Sequence, residues 1–196
     1  MKSRLTSLFF PRIPLCLSLL LPLVPVRAAT VVWTNTAGGN WSVATNWSPN
    51  AVPASGDTVI ITNDGTYAVT VDVSPTLNSW TFGATNGTQT LNLNSTTLTL
   101  NGSATFETNA VFNLGGGTLT GTGVVQVKGT FNWTSGTMSG TGSTTFENIA
   151  VVSFSSAGTK FWRQRTVNNY TTVTYTGGGL LADIAGVWNN TGVRCK

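Results

Sequence analysis

An apolar pair recurs at a nearly constant spacing through the second half of the chain, and this repeat restricts the possible folds more than any other feature. Consecutive copies are 21, 19, 21 and 21 residues apart, and one polar residue separates the two members of each pair. The pairs are Leu91/Leu93, Phe112/Leu114, Phe131/Trp133, Val152/Phe154 and Val173/Tyr175. Alternation of this kind is typical of a strand with one buried face. The repeat therefore predicts short strands stacked coil upon coil.

A second set of apolar residues follows the same offsets, and it is formed by Phe106, Val127, Phe146, Val167 and Trp188. Between the two sets, the glycine-rich residues 117–123 recur 19 residues later as residues 136–142. Glycine tolerates positive φ and close backbone approach, so these segments predict corners. A β-sandwich need not repeat at a constant spacing, and a propeller blade needs roughly 40 residues. We expect an all-β, single-stranded parallel β-helix (β-solenoid) with about 19–21 residues per coil.

The first 29 residues have the layout of a secretory signal peptide. Three early cations precede an apolar stretch over residues 13–26, and small residues at Ala28 and Ala29 suit cleavage. Three prolines interrupt the stretch, which is also too short to span a membrane. We expect residues 1–29 to be the signal peptide, 30–75 a Trp-rich N-terminal cap with the first strands, and 76–196 the solenoid repeats. The mature chain is then secreted or at the cell surface, with no transmembrane segment.

The excess of basic over acidic residues in the chain lies in this leader. Four of the ten Lys and Arg residues lie in it, so six basic residues face six acidic ones in the remainder. We therefore expect no nucleic-acid partner. Cys195 is the only cysteine after the leader, so stacking rather than an intrachain disulfide must stabilise the fold.

The chain contains no histidine, which removes the commonest general base and the commonest metal ligand. Glu107, Lys128 and Glu147 each follow a member of the second apolar set, so we expect them to stack outside the solenoid. Two coils separate the glutamates by about 9.6 Å, near the upper limit for an inverting glycosidase. The lysine between them would keep both carboxylates ionised, so we interpret the three as a surface charge ladder. We expect no catalytic residues and no enzymatic activity.

Three aspartates, Asp57, Asp64 and Asp72, could supply calcium ligands if the N-terminal segment brought them together. Their spacing matches no known calcium loop. Asp57 and Asp64 each adjoin a glycine, which turn formation explains more simply, whereas Asp72 has no evident role. We therefore expect neither a metal site nor a cofactor.

Three tryptophans of the N-terminal segment, Trp33, Trp41 and Trp47, have two interpretations. Buried indoles would plug the open end of the solenoid, whereas exposed ones would stack on the sugar rings of a glycan. We favour the plug, and these three residues remain the candidate glycan-stacking residues of the alternative.

The chain resembles secreted bacterial β-helix proteins of the autotransporter-passenger and filamentous-adhesin type. The resemblance rests on Gly39-Asn40-Trp41, on Asn46-Trp47, and on the repeats that begin at Gly117 and Phe131. It implies an extracellular surface or adhesion structure whose repeats act as a scaffold. It carries no catalytic or binding residue over to this chain.

The repeat breaks at the end of the sequence, where Arg194 and Lys196 occupy the positions at which the next apolar pair is expected. Either these charges end the stack, or the sequence is a fragment of a longer repeat protein. Two functions compete. The first is an exported, non-enzymatic structural or adhesive solenoid that contacts extracellular glycans or other surface proteins. The second is a carbohydrate-binding module or the remnant of a polysaccharide-degrading β-helix enzyme.

Overall fold

The structure, a computed structural model, describes residues 28–183 and 185–191. It is all-β, with one 3-10 turn at Ala44–Asn46. The strands are β1 (Thr30–Trp33), β2 (Gly39–Asn40), β3 (Trp47–Ser48), β4 (Thr58–Ile61), β5 (Tyr67–Thr70), β6 (Thr76–Leu77), β7 (Ser79–Phe82), β8 (Gln89–Leu93), β9 (Thr97–Leu100), β10 (Ala104–Phe106), β11 (Ala110–Thr120), β12 (Val124–Val127), β13 (Thr130–Met138), β14 (Ser143–Phe146), β15 (Val151–Phe154), β16 (Lys160–Arg163), β17 (Thr166–Asn169), β18 (Val173–Tyr175), β19 (Leu180–Asp183) and β20 (Val187–Asn190).

The strands form the three faces of a parallel β-solenoid with about six turns, which confirms the predicted fold class. Face 1 is a single sheet in the order β20-β17-β14-β12-β10-β7-β4-β1-β3. Face 2 contains β2, β5, β8, the first half of β11, the first half of β13, β15 and β18, and face 3 contains β6, β9, the second halves of β11 and β13, β16 and β19. From β4 onwards the chain visits the faces in this order in each coil.

The predicted register of the apolar pairs on face 2 is confirmed throughout. Leu91 pairs with Phe112, Phe112 with Phe131, and Phe131 with Val152, and the second members pair in the same steps. Their side chains point inward and are buried, because alternate residues of a strand face opposite sides. The last copy departs from the pattern, since Val173 is buried but Tyr175 is 37% exposed.

The predicted register of the second apolar set is wrong at one step. Phe106, Val127 and Phe146 stack as expected, but Phe146 pairs with Asn169, and Val167 pairs with Thr144. The step at this coil of face 1 is therefore 23 residues rather than 21. The extra length enters at the corner over residues 155–159, since Met138 already pairs with Trp162 at a step of 24. A shift of two residues keeps the strand parity, so Val167 still faces inward and is buried.

Aromatic side chains fill the interior from coil to coil. The rings of Phe106 and Phe112 stack with centroids 4.9 Å apart, and Phe131 lies 5.2 Å from Phe112 and 5.1 Å from Phe146. The predicted glycine corners bring the coils close enough for this packing. Gly121, for example, has a φ of 114°, and a Cβ there would lie 2.1 Å from the carbonyl oxygen of Leu100.

At the N-terminal end of face 1, β3 pairs antiparallel with β1 and covers the outer edge of that strand. Parallel pairing is continuous across the expected boundary near Pro75, because β4 and β5 already pair with the strands of the next coil. Most of the predicted signal peptide, residues 1–27, lies outside the described residues, as do Arg194, Cys195 and Lys196.

Candidate functional site

The three candidate tryptophans pack together at the N-terminal end of the solenoid. Trp33, Trp41 and Trp47 are at most 1% exposed, and Trp47 contacts both others with ring centroids 4.9 and 4.6 Å away. The indole N–H of Trp47 donates to the carbonyl of Trp41 at 2.8 Å, and that of Trp33 donates to Asn35 at 2.6 Å. This packing leaves no indole face on which a sugar ring can stack, which favours the plug over a glycan site.

The three candidate calcium ligands do not converge. Both carboxylate oxygens of Asp57 accept backbone hydrogen bonds at 2.8 Å, one from Ala29 and one from Ala54. Within the described residues, no group of three or more acidic or cysteine side chains has the geometry to hold a metal ion. Asp57 therefore acts as a tie between the first strand and the corner that precedes β4.

The other two aspartates are bound in the same way to neighbouring coils. Asp64 accepts hydrogen bonds from the backbone and side-chain N–H groups of Asn86, and these bonds lower the pKa of its carboxyl. Asp72 accepts from the backbone N–H and the hydroxyl of Ser42 at 2.9 and 2.6 Å. Partial burial raises the pKa of Asp72, but the hydrogen bonds that its carboxylate accepts, first among them those from Ser42, together outweigh burial and lower the pKa. Asp72, unexplained by the sequence, thus fixes the N-terminal cap to the first full coil.

The charged side chains outside face 1 are stacked as expected. The ammonium group of Lys128 lies 3.1 Å from a carboxylate oxygen of Glu107, one coil away. Glu147 is in the next coil in register, since its backbone N–H donates to Val127 just as that of Lys128 donates to Phe106. Within the described residues, Glu147 has no cation within 4.0 Å. The arrangement is an ion pair with one further carboxylate, and it places no second carboxylate beside Glu107.

Two buried cations are the main feature that the sequence did not predict. Lys160 has no exposed surface, and its ammonium group donates to the backbone carbonyls of Gly158 and Gly177 at 3.1 Å each. It thereby closes the enlarged corner over residues 155–159. Burial lowers the pKa of this lysine.

Arg165, also without exposed surface, joins three successive coils. Its guanidinium donates to the hydroxyl of Thr144 at 2.7 Å and to the carbonyls of Ser139 and Ser143 at 3.0 and 2.9 Å, with a longer bond of 3.4 Å to Gly121. Burial lowers its pKa to about 10. One signal in the sequence was available, because an arginine stands here at the corner position that Gly123 and Gly142 occupy in earlier coils.

Polar side chains on the outside of face 2 bond mainly to one another. The amide of Asn132 donates to Asn113, and that of Asn113 donates to Asn92, at 2.9 Å each. This asparagine ladder stabilises the stack of coils and leaves few free groups for a ligand.

One open depression next to face 1 has the character of a binding surface. It has a volume of about 310 Å³ and is lined by Thr62, Thr81, Gly83, Ala84, Thr85, Glu107 and Thr108. Its hydroxyls and its one carboxylate can bond to a polar ligand, but it contains no exposed aromatic ring.

Comparison with known protein families, with curated proteins and with solved structures finds no match to the chain. The β-solenoid and its repeats are therefore supported by the structure alone. Among the residues that the structure describes, no helix is both long and apolar enough to cross a membrane.

Proposed function

We propose that this protein is an exported, non-enzymatic β-solenoid that serves as a structural or adhesive component of the cell surface or extracellular matrix. One observation carries the proposal: the carboxylates Asp57, Asp64, Asp72 and Glu107 are all engaged in bonds to other turns of the chain. Bonds of this kind stabilise a rigid stack, because each one joins segments that are distant in sequence. Six coils at about 4.8 Å extend about 29 Å, the dimension of a short rigid spacer.

The sequence adds two further supports. The predicted signal peptide implies export. The resemblance to autotransporter passengers and filamentous adhesins implies a scaffold outside the cell. Glu107 and Glu147 fit a scaffold better than a hydrolase, because Lys128 neutralises Glu107 and neither glutamate is buried.

Cell fractionation and polysaccharide turnover test the proposal together. We expect a product cleaved after Ala28 or Ala29, present outside the cytoplasm and accessible to added protease. The purified protein should release no reducing ends from a panel of polysaccharides. Turnover that is lost in Glu107→Gln or Glu147→Gln, but retained in the surface control Thr130→Ala, would contradict the proposal. So would an uncleaved product confined to the cytoplasm.

The depression beside Glu107 favours a second candidate function, a carbohydrate-binding module. Its threonine hydroxyls and carboxylate are suitable partners for sugar hydroxyls. This candidate predicts saturable binding to one glycan that Thr81→Lys abolishes and that Thr145→Lys, an equivalent outward position three coils away, leaves unchanged. A scaffold without this activity shows no saturable binding.

A further inference from the structure

Face 3 carries a regular array of hydroxyl groups on its outer side, which we call the hydroxyl lattice. Strand pairing sets its members in two files along the solenoid axis. One file contains Thr97, Thr118 and Thr137, and the other contains Thr76, Thr99, Thr120 and Ser139. Within each coil the two files are separated by one inward residue, such as Leu98 or Leu119.

The hydroxyls of the lattice are free to bind a ligand. In the part of the chain that the structure describes, none of the seven makes a side-chain hydrogen bond to the protein, although the backbone atoms of Thr97 and Ser139 do. Face 2 differs, because its asparagine ladder satisfies itself. The lattice also contains no charged side chain. Beyond it, the next coil replaces the two files with Phe161 and with Arg163, which pairs with Asp183.

The spacing of the lattice is fixed by the backbone. Neighbouring coils lie about 4.8 Å apart, and alternate residues of one strand lie about 6.6 Å apart. Threonine is branched at Cβ and restricted at χ1, so its methyl and hydroxyl groups keep a defined orientation. Water bound to such a surface would share these repeats, of which the first is slightly longer and the second somewhat shorter than the repeats of water oxygens on a prism face of hexagonal ice.

We propose that the hydroxyl lattice of face 3 binds ice. The hydroxyls exchange hydrogen bonds with the outermost water layer, and the methyl groups between them order the water that fills the lattice. Because the coils hold these groups in place before contact, little side-chain entropy is lost on binding. A glycan fits this surface less well, since the lattice is uncharged and has no exposed aromatic ring on which a sugar could stack. With only seven hydroxyls, we expect inhibition of ice recrystallisation rather than a large depression of the freezing point.

Ice recrystallisation and crystal shape, measured with the full chain and two matched variants, test the inference. Thr118→Lys places a long charged side chain at the centre of the lattice, and Thr105→Lys makes the same change at an outward, half-buried threonine of face 1. We expect wild type and Thr105→Lys to inhibit recrystallisation equally, and Thr118→Lys to require a concentration at least about tenfold higher. Thr118→Val, which keeps the shape and removes only the hydroxyl, should show a smaller loss with an unchanged melting temperature.

Three results would overturn the inference. The first is wild-type protein that inhibits ice recrystallisation no more than an inert protein at the same concentration. The second is an equal loss of this inhibition in the two lysine variants. The third is saturable binding to particles of an uncharged polysaccharide that depends on Thr118, without any effect on ice. The inference does not rest on the scaffold proposal. A protein that is exported as a scaffold but does not bind ice would contradict the ice-binding inference alone.

Discussion

Replacement of Arg165 by methionine tests how a charge inside the solenoid contributes to stability. The substitution removes the buried charge and with it the desolvation cost. However, it removes the guanidinium donors to the carbonyls of Ser139 and Ser143, and a buried hydrogen bond lost without a replacement donor costs about 1 to 3 kcal/mol. We therefore expect Arg165→Met to lower the free energy of unfolding by about 2 to 6 kcal/mol. This is a large part of the stability of a typical domain, which is about 5 to 15 kcal/mol.

The matched control is Arg163→Met, two residues earlier in the same coil. Arg163 pairs with Asp183 at 3.6 Å, but both side chains are about half exposed, so the loss should stay below about 1 kcal/mol. Urea unfolding followed by circular dichroism gives both values. Hydrogen exchange should show that Arg165→Met weakens protection in β14 and β17 first, because Thr144 lies in β14 and Arg165 immediately precedes β17. Equal stability of Arg165→Met and wild type, or a larger loss in Arg163→Met, would refute this account of the buried guanidinium.

Three further predictions concern the core and the cap. Trp133→Asp puts a charge at a fully buried position and should unfold the neighbouring coils. The control Thr134→Asp changes the adjacent outward position and should not unfold them. Equal melting temperatures of the two variants would refute the register. Trp41→Ala should cost about 3 to 5 kcal/mol in urea unfolding, and unchanged stability would argue against the plug. Burial, with a smaller contribution from Asp64, raises the pKa of Tyr67 to about 12. The contribution of Tyr67 to the free energy of unfolding is therefore fully present below about pH 10, the pKa of tyrosine in the unfolded chain. About 1 to 3 kcal/mol of this contribution is lost as the pH rises towards 12. Alkaline unfolding should be weaker in Tyr67→Phe, and identical pH profiles would contradict this.

The sequence was sufficient to predict the apolar stack of face 2. Alternation within each pair identifies the inward residues, and the constant offset identifies their neighbours in the next coil. Both signals come from side chains that must be buried. The register of Phe112 with Phe131, for example, follows directly from them.

The register of the second apolar set shifts by two residues at one coil, and this shift has a physical explanation. The enlarged corner over residues 155–159 adds residues before face 1, and the next corners remove them again before β18. Because the added number at face 1 is two, an apolar residue, Val167, still occupies an inward position. The hydrophobic pattern thus fits either register, and only the backbone pairing distinguishes them.

The buried cations were beyond a prediction from hydrophobic pattern. Lys160 and Arg165 are charged residues at inward positions, where a charge is expected only if it is well bonded. Each of them bonds to a backbone carbonyl of a neighbouring coil, Lys160 to Gly177 and Arg165 to Ser139, and the sequence does not display these contacts. The hydroxyl lattice was missed for a related reason, since its files form only after the coils are in register.

Distances between spin labels placed along face 1 test the stacked register most directly. A label at Thr105 is combined in turn with a second label at Gln126, Thr145 or Asn168, and the two labels are then one, two or three coils apart. The solenoid predicts backbone separations that grow in equal steps of about 4.8 Å, to about 14.4 Å at Asn168. Separations that do not grow in equal steps would contradict the stacked coils on which each proposal depends. A label at Thr166 that lies closer to Thr145 than one at Asn168 does would contradict the 23-residue step of this coil.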